Sequence, residues 1–211
     1  MPKIPASERD AFYEARRGAV ADVALKLWAQ HGFDQTTVAT IAREAGIAKG
    51  TFYLYFESKD ALLLEVLRRN SLAPKVLALM RDLQTESLET AVHGFVRGAW
   101  RHLSENRELV LVVLRELPTH LDRAREAVER IIVPTNAAIA SYLESRIAPE
   151  RARQLSSVIA IRALIGMVIV VFLTQEVLGA GRLLPVPEAE ITRTIAELFL
   201  RGVAPEEVGS G

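Results

Sequence analysis

Apolar residues recur at the spacing of an α-helix along almost the whole chain, and this periodicity restricts the fold more than any other feature. In one short stretch, for example, Val38, Ile41, Ala42 and Ala45 fall at positions i, i+3, i+4 and i+7. Alternating strand-like runs bounded by hairpin turns are missing, and glycines and prolines fall mostly between the periodic segments. The sequence therefore predicts an all-α protein of about nine helices.

The composition fits a compact globular protein of one or two domains. Half of the 211 residues are hydrophobic and 25% are charged, so the chain can bury a core. The 26 basic residues balance the 26 acidic ones, so net charge gives no indication of a nucleic-acid partner. The absence of cysteine excludes disulfides, zinc–thiolate sites and thiol redox chemistry. Because the four histidines are scattered along the sequence, we expect no metal site, and we expect no cofactor.

No export signal or membrane partner is expected. Residues 1–12 combine charges with two prolines and contain no apolar segment of the kind found in signal peptides. The longest apolar stretch, Ala163–Leu173, has 11 residues, whereas a membrane-spanning helix needs roughly 20. We therefore expect a buried helix at this stretch and a cytoplasmic protein.

Two short helices are predicted between residues 32 and 62. Thr36 or Thr37 stands at the N-cap position of the first, and Gly46 follows its end and permits a tight turn. The second continues to about Tyr55. This spacing is typical of a helix-turn-helix, in which the second helix enters the major groove of DNA. The alternative is a plain helical hairpin inside a bundle.

In this segment the sequence closely resembles the tetracycline-repressor (TetR) family of bacterial transcriptional regulators. The resemblance covers about the first third of the chain. The matching residues are Gly32, Phe33, Thr36, Thr37, Val38, Ile41, Ala42, Ala45, Gly46, Ile47, Lys49, Gly50, Thr51, Phe52, Tyr53, Tyr55, Phe56, Ser58, Lys59 and Leu62. The resemblance implies an N-terminal three-helix DNA-binding domain, predicted over residues 14–74. It also implies a larger C-terminal helical domain for ligand binding and dimerisation, predicted over residues 75–211.

The resemblance assigns DNA contacts to a set of positions whose side chains have suitable chemistry. Hydroxyl, ammonium and backbone N–H groups can bind phosphate or base edges, and a glycine allows close approach of the backbone. The predicted DNA-binding residues are Thr37, Lys49, Gly50, Thr51, Tyr53, Tyr55 and Lys59. Two positions depart from the family pattern: Ala48 cannot cap the second helix, and Leu54 offers no hydrogen bond at a position expected to face the bases. Phe52 and Phe56 are expected in the core.

Longer helices are predicted after this segment. We expect Ser58 to cap a helix that continues to about Leu83, with a kink or an interruption at Pro74. Pro134 predicts a kink or break in the helical stretch over residues 119–147.

The helix predicted from Pro149 to Leu178 is apolar on nearly all sides, so other elements must cover it. A single helix-turn-helix contacts few base pairs, and such proteins normally dimerise on a palindromic site. We therefore expect a homodimer, and the resemblance implies an interface made by the last two helices of each subunit. The alternative is a core helix covered within one chain. The predicted dimerisation residues are Ile165, Ile169, Phe172, Ile195, Leu198 and Phe199.

In the family, the helices between these two regions enclose a cavity for a small molecule, and a largely apolar effector is expected here. The polar or amphipathic side chains available to such a cavity are Trp100, His102, Arg115, Glu116, His120, Tyr142 and Arg162. Each also has an ordinary structural explanation. For Arg162, a carboxylate across the dimer interface or an exposed guanidinium is favoured over an anionic ligand.

These observations together predict a DNA-binding transcriptional regulator. The favoured hypothesis is a homodimeric repressor that a small molecule releases from a palindromic operator on double-stranded DNA. The alternative is a DNA-binding architectural or protein-partner module without a small-molecule effector. An enzyme is not expected, because no nucleophile–base set, paired carboxylate cluster or phosphate loop is apparent.

Overall fold

The computed structural model describes residues 6–71, 86–116, 118, 120–147 and 155–203, and within these residues every regular element is helical. The all-α prediction is confirmed. In chain order the α-helices are α1 (Ala6–His31), α2 (Val38–Glu44), α3 (Lys49–Tyr55), α4 (Lys59–Arg69), α5 (Leu88–Glu105), α6 (Arg107–Glu116), α7 (Leu121–Ala127), α8 (Val133–Glu144), α9 (Ser157–Phe172), α10 (Ala180–Leu183) and α11 (Glu188–Val203). Short π-helical turns, Val128–Ile132 and Leu173–Val177, follow α7 and α9.

The described residues form two compact units. The first takes in the described chain as far as Ser71 together with Asn106–Val128, and the second takes in the described parts of 72–105 and 129–211. The chain therefore leaves the first unit, forms α5 in the second, and returns to the first for α6 and α7. A single division between residues 74 and 75, as predicted from the sequence, does not include this return.

The core of the first unit is built from aromatic and branched side chains of α1 to α4. Trp28 near the end of α1 lies against Phe33, with the two ring centroids 5.0 Å apart. Helix α1 packs against α2, α4 and α6. The largest fully buried side chains here are Val20, Trp28, Phe33, Ile41, Phe52, Leu62, Leu63 and Val66, together with Val112 of α6. Burial of this apolar surface is the main force that fixes α2 and α3 on α1.

Helix α4 ends earlier than the sequence predicts. As predicted, the hydroxyl of Ser58 accepts a hydrogen bond from the Ala61 amide, 3.0 Å away. The helix then stops at Arg69, and both the backbone amide and the side-chain amide of Asn70 donate to the Val66 carbonyl, at 3.1 and 2.9 Å. The predicted stretch from residue 72 to Leu83, with Pro74, lies outside the described residues, as does the predicted helix start at Pro149.

In the second unit, α9 packs against α5, α8 and α11, and α11 also packs against α5. Trp100 of α5 and Phe172 of α9 meet edge to face with their ring centroids 5.3 Å apart. The helix break predicted at Pro134 takes the form of the π-turn Val128–Ile132, and Pro134 itself lies in the first turn of α8. The chain stays helical through Ile132, and the wider π-turn directly before Pro134 accommodates a residue that has no N–H to donate.

Candidate DNA-binding surface

The turn between α2 and α3 has the geometry of a Schellman motif. Gly46 adopts a φ of +66°, which is the left-handed conformation that favours glycine. The Gly46 amide donates to the Arg43 carbonyl at 3.1 Å, and the Ile47 amide donates to the Ala42 carbonyl at 2.9 Å. These two bonds end α2 sharply and fix the direction in which α3 leaves the turn.

The N-terminus of α2 is capped by Thr37, whose hydroxyl oxygen accepts from the Thr40 amide at 3.1 Å. Thr36 has a different role, since it is buried and donates to the Gly32 carbonyl at 2.7 Å. Of the two threonines considered from the sequence, Thr37 is therefore the N-cap, and it lies at the surface. An exposed helix start of this kind presents N–H groups suited to a phosphate oxygen.

Helix α3 divides cleanly into a buried and an exposed side. Phe52 is fully buried and packs against Phe56, with 5.7 Å between the ring centroids, as the sequence predicts. The exposed side carries Lys49, Gly50, Tyr53 and Leu54, while Thr51 and Tyr55 are half-buried. Ala48 provides no side-chain cap, and the Leu54 side chain is 73% exposed, so both departures from the family pattern are present on the surface.

Tyr13 of α1 stabilises the end of α3, and this role was not predicted from the sequence. Its hydroxyl donates to the Leu54 carbonyl at 2.8 Å, and its ring centroid lies 5.0 Å from that of Tyr55. The hydrogen bond takes up a carbonyl at the end of α3 that has no amide partner within the helix. Because 41 residues separate Tyr13 from Leu54, no local pattern could have indicated this contact.

Lys59 lies at the start of α4, and its ammonium is turned toward the loop that precedes α2. It donates to the carbonyl of Phe33 at 2.8 Å and to that of Thr36 at 3.1 Å, and it lies 4.2 Å from the centroid of the Phe33 ring. Burial lowers the pKa of Lys59 below its usual 10.5, against the opposing effect of Asp34. The side chain thus holds the loop in place, and its predicted contact with phosphate stays a prediction.

Residues at the end of α6 and at the start of α7 also contact the loop that precedes α2. The Glu116 carboxylate, at the end of α6, accepts a hydrogen bond from the Phe33 amide at 3.1 Å. His120, at the N-cap position of α7, places Nε2 3.4 Å from a carboxylate oxygen of Asp34 and 4.0 Å from one of Glu116. A buried carboxylate bonded to a backbone amide is a strong, directional restraint on the loop.

Arg123 of α7 adds a further contact to this loop. Its guanidinium pairs with the Asp60 carboxylate in the first turn of α4 and lies 3.9 Å from a carboxylate oxygen of Asp34. It also lies 4.3 Å from the centroid of the Phe33 ring. The aromatic ring of Phe33 is therefore close to two cations, which its negative faces favour.

The comparisons with known proteins agree with this geometry. The family model described as "Bacterial regulatory proteins, tetR family" matches residues 20–66, which run from α1 into α4. The HTH-type transcriptional regulator BetI of Agrobacterium fabrum is 32% identical over 158 residues, which cover 65% of this chain and 72% of that protein. The chain belongs to the tetR family.

One other curated relative matches this tetR-family chain over a shorter length, and two solved structures match it over a longer one. An uncharacterised HTH-type regulator of Bacillus subtilis, YuxN, is 35% identical over 99 residues, and the match spans only 33% of that protein. Among solved structures, the fatty acid degradation regulator FadR of Bacillus halodurans has a TM-score of 0.69 at 18% identity, covering 96% of this chain and 98% of that one. FadR of Bacillus subtilis in complex with stearoyl-CoA has a TM-score of 0.67 at 18% identity, with 87% and 97% coverage. At these identities the structures establish the fold.

As a tetR-family member, the chain is a DNA-binding transcriptional regulator with an N-terminal helix-turn-helix. The structure divides its predicted effector-site residues between the two units. Glu116 and His120 lie at the loop described above, and Arg115 lies so close to Gly32 that a Cβ on that glycine would come within 3.1 Å of its guanidinium. The remaining residues, Trp100, His102, Tyr142 and Arg162, belong to the second unit.

Those four residues have different environments in the tetR-family chain. Trp100 and His102 are buried in α5, Trp100 against Phe172. Tyr142 is half-buried, and the guanidinium of Arg146 lies 5.6 Å from the centroid of its ring. Arg162 is exposed on α9, which agrees with a solvent-facing or partner-facing guanidinium.

The predicted dimerisation residues also separate into two groups. Phe172, Ile195 and Phe199 are buried within the second unit, whereas Ile169 and Leu198 are exposed and Ile165 is half-buried. The first three therefore contribute to the core of their own subunit. Three exposed large apolar residues of α9 were not among the predicted dimerisation residues, namely Val158, Ile159 and Val170.

The exposed apolar surface of α9 is extensive. Among the described residues, one helical stretch, Ser157–Val177, is long and apolar enough to cross a membrane by length and composition alone. Only 33% of its most apolar window is buried within the described chain. The alternative of a core helix covered entirely within one chain therefore does not fit the described residues, and the predicted cover by a partner subunit stays a prediction.

Proposed function

We propose that the protein is a homodimeric repressor that binds a palindromic operator on double-stranded DNA in the cytoplasm and is released by a largely apolar small molecule. The observation that carries the proposal is the exposed side of α3, where Lys49, Gly50 and Tyr53 project from a helix fixed by Gly46 and Phe52. An exposed, rigidly held helix with cationic and hydroxyl groups is suited to the major groove.

Each exposed group of this surface has a defined role in the proposed complex. Lys49 and Thr51, in the first turn of α3, contact base edges or phosphate. Gly50 allows the backbone to approach the duplex, and the Tyr53 and Tyr55 hydroxyls and Thr37 bind phosphate oxygens. Because Leu54 offers only apolar contact, we propose that it packs against thymine methyl groups.

Dimerisation is proposed through the exposed faces of α9 and α11. Ile159, Ile169 and Val170 on α9 and Leu198 on α11 present apolar side chains that water would otherwise hydrate. Covering this surface with a second copy removes it from water. Binding to a palindromic operator requires a dimer whose two copies of α3 lie about one DNA turn apart, about 34–36 Å, or a multiple of that distance. The predicted residues Ile169 and Leu198 stay in the proposed interface.

The proposed effector class rests on one relative. Because FadR of Bacillus subtilis was solved in complex with stearoyl-CoA, we propose a long-chain acyl compound as the first effector class to test. An effector can shift operator occupancy only by its difference in affinity for the two conformations of the protein. It must therefore bind the DNA-free form more tightly than the DNA-bound form.

Selection of bound duplexes from a random pool by the purified full-length protein tests the DNA part of the proposal. We expect enrichment of an inverted repeat whose half-sites are separated by about one helical turn. The selected duplex is then titrated with protein in the presence of stearoyl-CoA, with free coenzyme A as the matched control without the acyl chain. Absence of any enriched repeat would overturn the proposal of operator binding. An enriched repeat whose affinity neither compound changes would overturn the acyl effector.

A second candidate, a protein-partner module, is favoured by the exposed apolar residues around α10. Leu178, Leu183 and Leu184 are more exposed than most leucines of the described chain. Exposed apolar residues grouped together mark docking surfaces for other proteins. Under this alternative, DNA binding persists but a library of small apolar molecules leaves the affinity for the selected duplex unchanged.

A further inference from the structure

Asp34, Glu116 and His120 form a cluster of three groups with metal-binding chemistry inside the first unit. Asp34 lies in the loop after α1, Glu116 ends α6, and His120 precedes α7. One carboxylate oxygen or imidazole nitrogen from each lies within 4.8 Å of the other two. From the sequence we expected no metal site, because the histidines are scattered along the chain. In the folded first unit, however, one histidine lies next to two carboxylates.

The distances within the cluster fit a tetrahedral transition-metal ion. Metal–ligand bonds of about 2.1 Å to nitrogen and oxygen place two ligand atoms of a tetrahedral site about 3.4 Å apart. The His120–Asp34 distance is 3.4 Å and the His120–Glu116 distance is 4.0 Å. Closure around an ion requires movements of about 1 Å, which the largely exposed Asp34 and the partly exposed His120 side chains permit.

Glu116 provides the fixed part of the cluster. Its side chain is 8% exposed, and one of its oxygens, Oε1, accepts from the Phe33 amide. The other, Oε2, is the oxygen that approaches His120. A carboxylate held by a second hydrogen bond in this way is typical of metal ligands, because the bond orients the oxygen that faces the ion.

From this arrangement we propose that Asp34, Glu116 and His120 bind one divalent transition-metal ion per chain, with Zn²⁺ the best fit. An imidazole nitrogen and two carboxylates suit zinc and its neighbours, whereas Ca²⁺ and Mg²⁺ prefer more ligands, all of them oxygen. The ion joins the loop before α2 to the segment between α6 and α7. It thereby stabilises the DNA-binding unit, a property that goes beyond the proposed repression.

Neighbouring cations set the strength of the proposed site. Arg123 lies 3.9 Å from the second oxygen of Asp34, and Arg115 lies 4.0 Å from the Oε1 atom of Glu116. These charges oppose a divalent ion and weaken its binding. Removal of one of them therefore strengthens metal binding, an effect that is not expected if the cluster is only a network of ion pairs.

The test uses the full-length protein freed of metal by a chelator and then dialysed. Calorimetric titration with Zn²⁺ gives the stoichiometry and affinity, and titration with Co²⁺ adds a visible absorption band for a tetrahedral site. We expect one ion per chain, with at least tenfold weaker binding for Asp34→Asn and for His120→Gln. The matched control is His93→Gln, the same substitution in α5 of the second unit, which keeps the wild-type affinity.

A gain of affinity complements these losses. Arg123→Gln is expected to bind Zn²⁺ more tightly than the wild type, because a positive charge next to Asp34 is removed. Circular dichroism of each metal-free variant verifies that it is folded. No stoichiometric binding by the wild type, or wild-type affinity in a folded His120→Gln protein, overturns the proposal. If His120→Gln does not fold, the titrations of Asp34→Asn and Arg123→Gln decide the question. A Zn²⁺ affinity equal to that of the wild type in both variants overturns the proposal.

Discussion

Gly50 lies on the exposed side of α3, and a methyl group added to its Cα would meet no described atom within 4 Å. Its φ lies outside the left-handed region, so the backbone does not require glycine here. Glycine in a helix interior costs about 0.8–1.0 kcal/mol relative to alanine, and the cost is smaller in a first turn, where Gly50 lies. The presence of glycine at this position of α3 is therefore best explained by close approach of a molecule outside the chain, for which we propose the DNA backbone.

We expect Gly50→Ala to weaken binding to the selected duplex at least tenfold, because its methyl group holds the backbone away from DNA. The free energy of unfolding should rise by up to about 1 kcal/mol, because alanine favours the helix. Gly98→Ala in α5, where an added methyl also meets no described atom within 4 Å, is the matched control. It should give a comparable gain in stability with unchanged DNA affinity. Equal DNA affinities for the two variants would contradict the proposed close approach.

Lys49 and Lys59 differ in environment, so their alanine variants should change different properties. Lys49→Ala should affect DNA binding, and Lys59→Ala should affect the stability of the fold. Lys49 is exposed, and Lys49→Ala should reduce the slope of log affinity against log salt by about 0.9 per half-site without changing the melting temperature. Lys59→Ala removes two hydrogen bonds to loop carbonyls and should lower the free energy of unfolding by about 1 kcal/mol. Fluorescence titrations at several salt concentrations and thermal melts measure both. A Lys59→Ala protein with unchanged stability and a reduced salt slope would contradict the loop-holding role and support the predicted phosphate contact of Lys59.

Among the helices, α1 and α4 are joined by the buried carboxylate of Glu65. Arg68, on the same helix, donates to it at 2.8 and 2.9 Å, and Arg17 of α1 lies 3.6 Å from it. The hydrogen bonds from Arg68 lower the pKa of Glu65 below its usual 4.5, against the opposing effect of burial. The lowered pKa means that the ionised carboxylate stabilises the folded unit.

Glu65→Gln should lower the free energy of unfolding by about 1–2 kcal/mol at neutral pH, because the charged hydrogen bonds to arginine are weakened. The folded-state pKa lies below the unfolded value, so this contribution is fully present above pH 4.5. It is lost as the pH falls below that value and through the folded-state pKa. Denaturant unfolding at several pH values measures the difference between wild type and variant, which should shrink in acid. The exposed Glu57→Gln variant is the control and should show no such difference.

Features of the helices that depend on neighbouring residues could be predicted from the sequence, whereas the packing partners of the helices could not. The cap by Ser58 and the turn at Gly46 depend on residues close in sequence, and both were predicted. The return of α6 and α7 to the first unit could not be predicted, because an apolar stripe indicates that a helix face is buried but not which helix covers it. Tyr13 was missed for the same reason, since its partners are distant in sequence.

For the whole molecule, the decisive question is which apolar residues face a second copy. The sequence showed that α9 is apolar on nearly all sides, and such a pattern cannot distinguish a core face from an interface face. The structure separates them, since Ile195 of α11 is buried within its own unit while Leu198 is 57% exposed. The two residues are three positions apart on one helix and should respond differently to substitution.

Leu198→Glu should dissociate the proposed dimer, because the twofold axis brings two uncompensated charges into an apolar interface. We expect at least tenfold weaker dimerisation in sedimentation experiments and a parallel loss of affinity for the inverted repeat, with little change in subunit folding. Leu121→Glu, the same substitution at an exposed leucine of α7, is the control. Ile195→Ala should instead lower the free energy of unfolding by about 2–4 kcal/mol through the cavity it creates. A Leu198→Glu protein that sediments as a wild-type dimer would place the interface on another surface and remove the geometric basis for operator spacing.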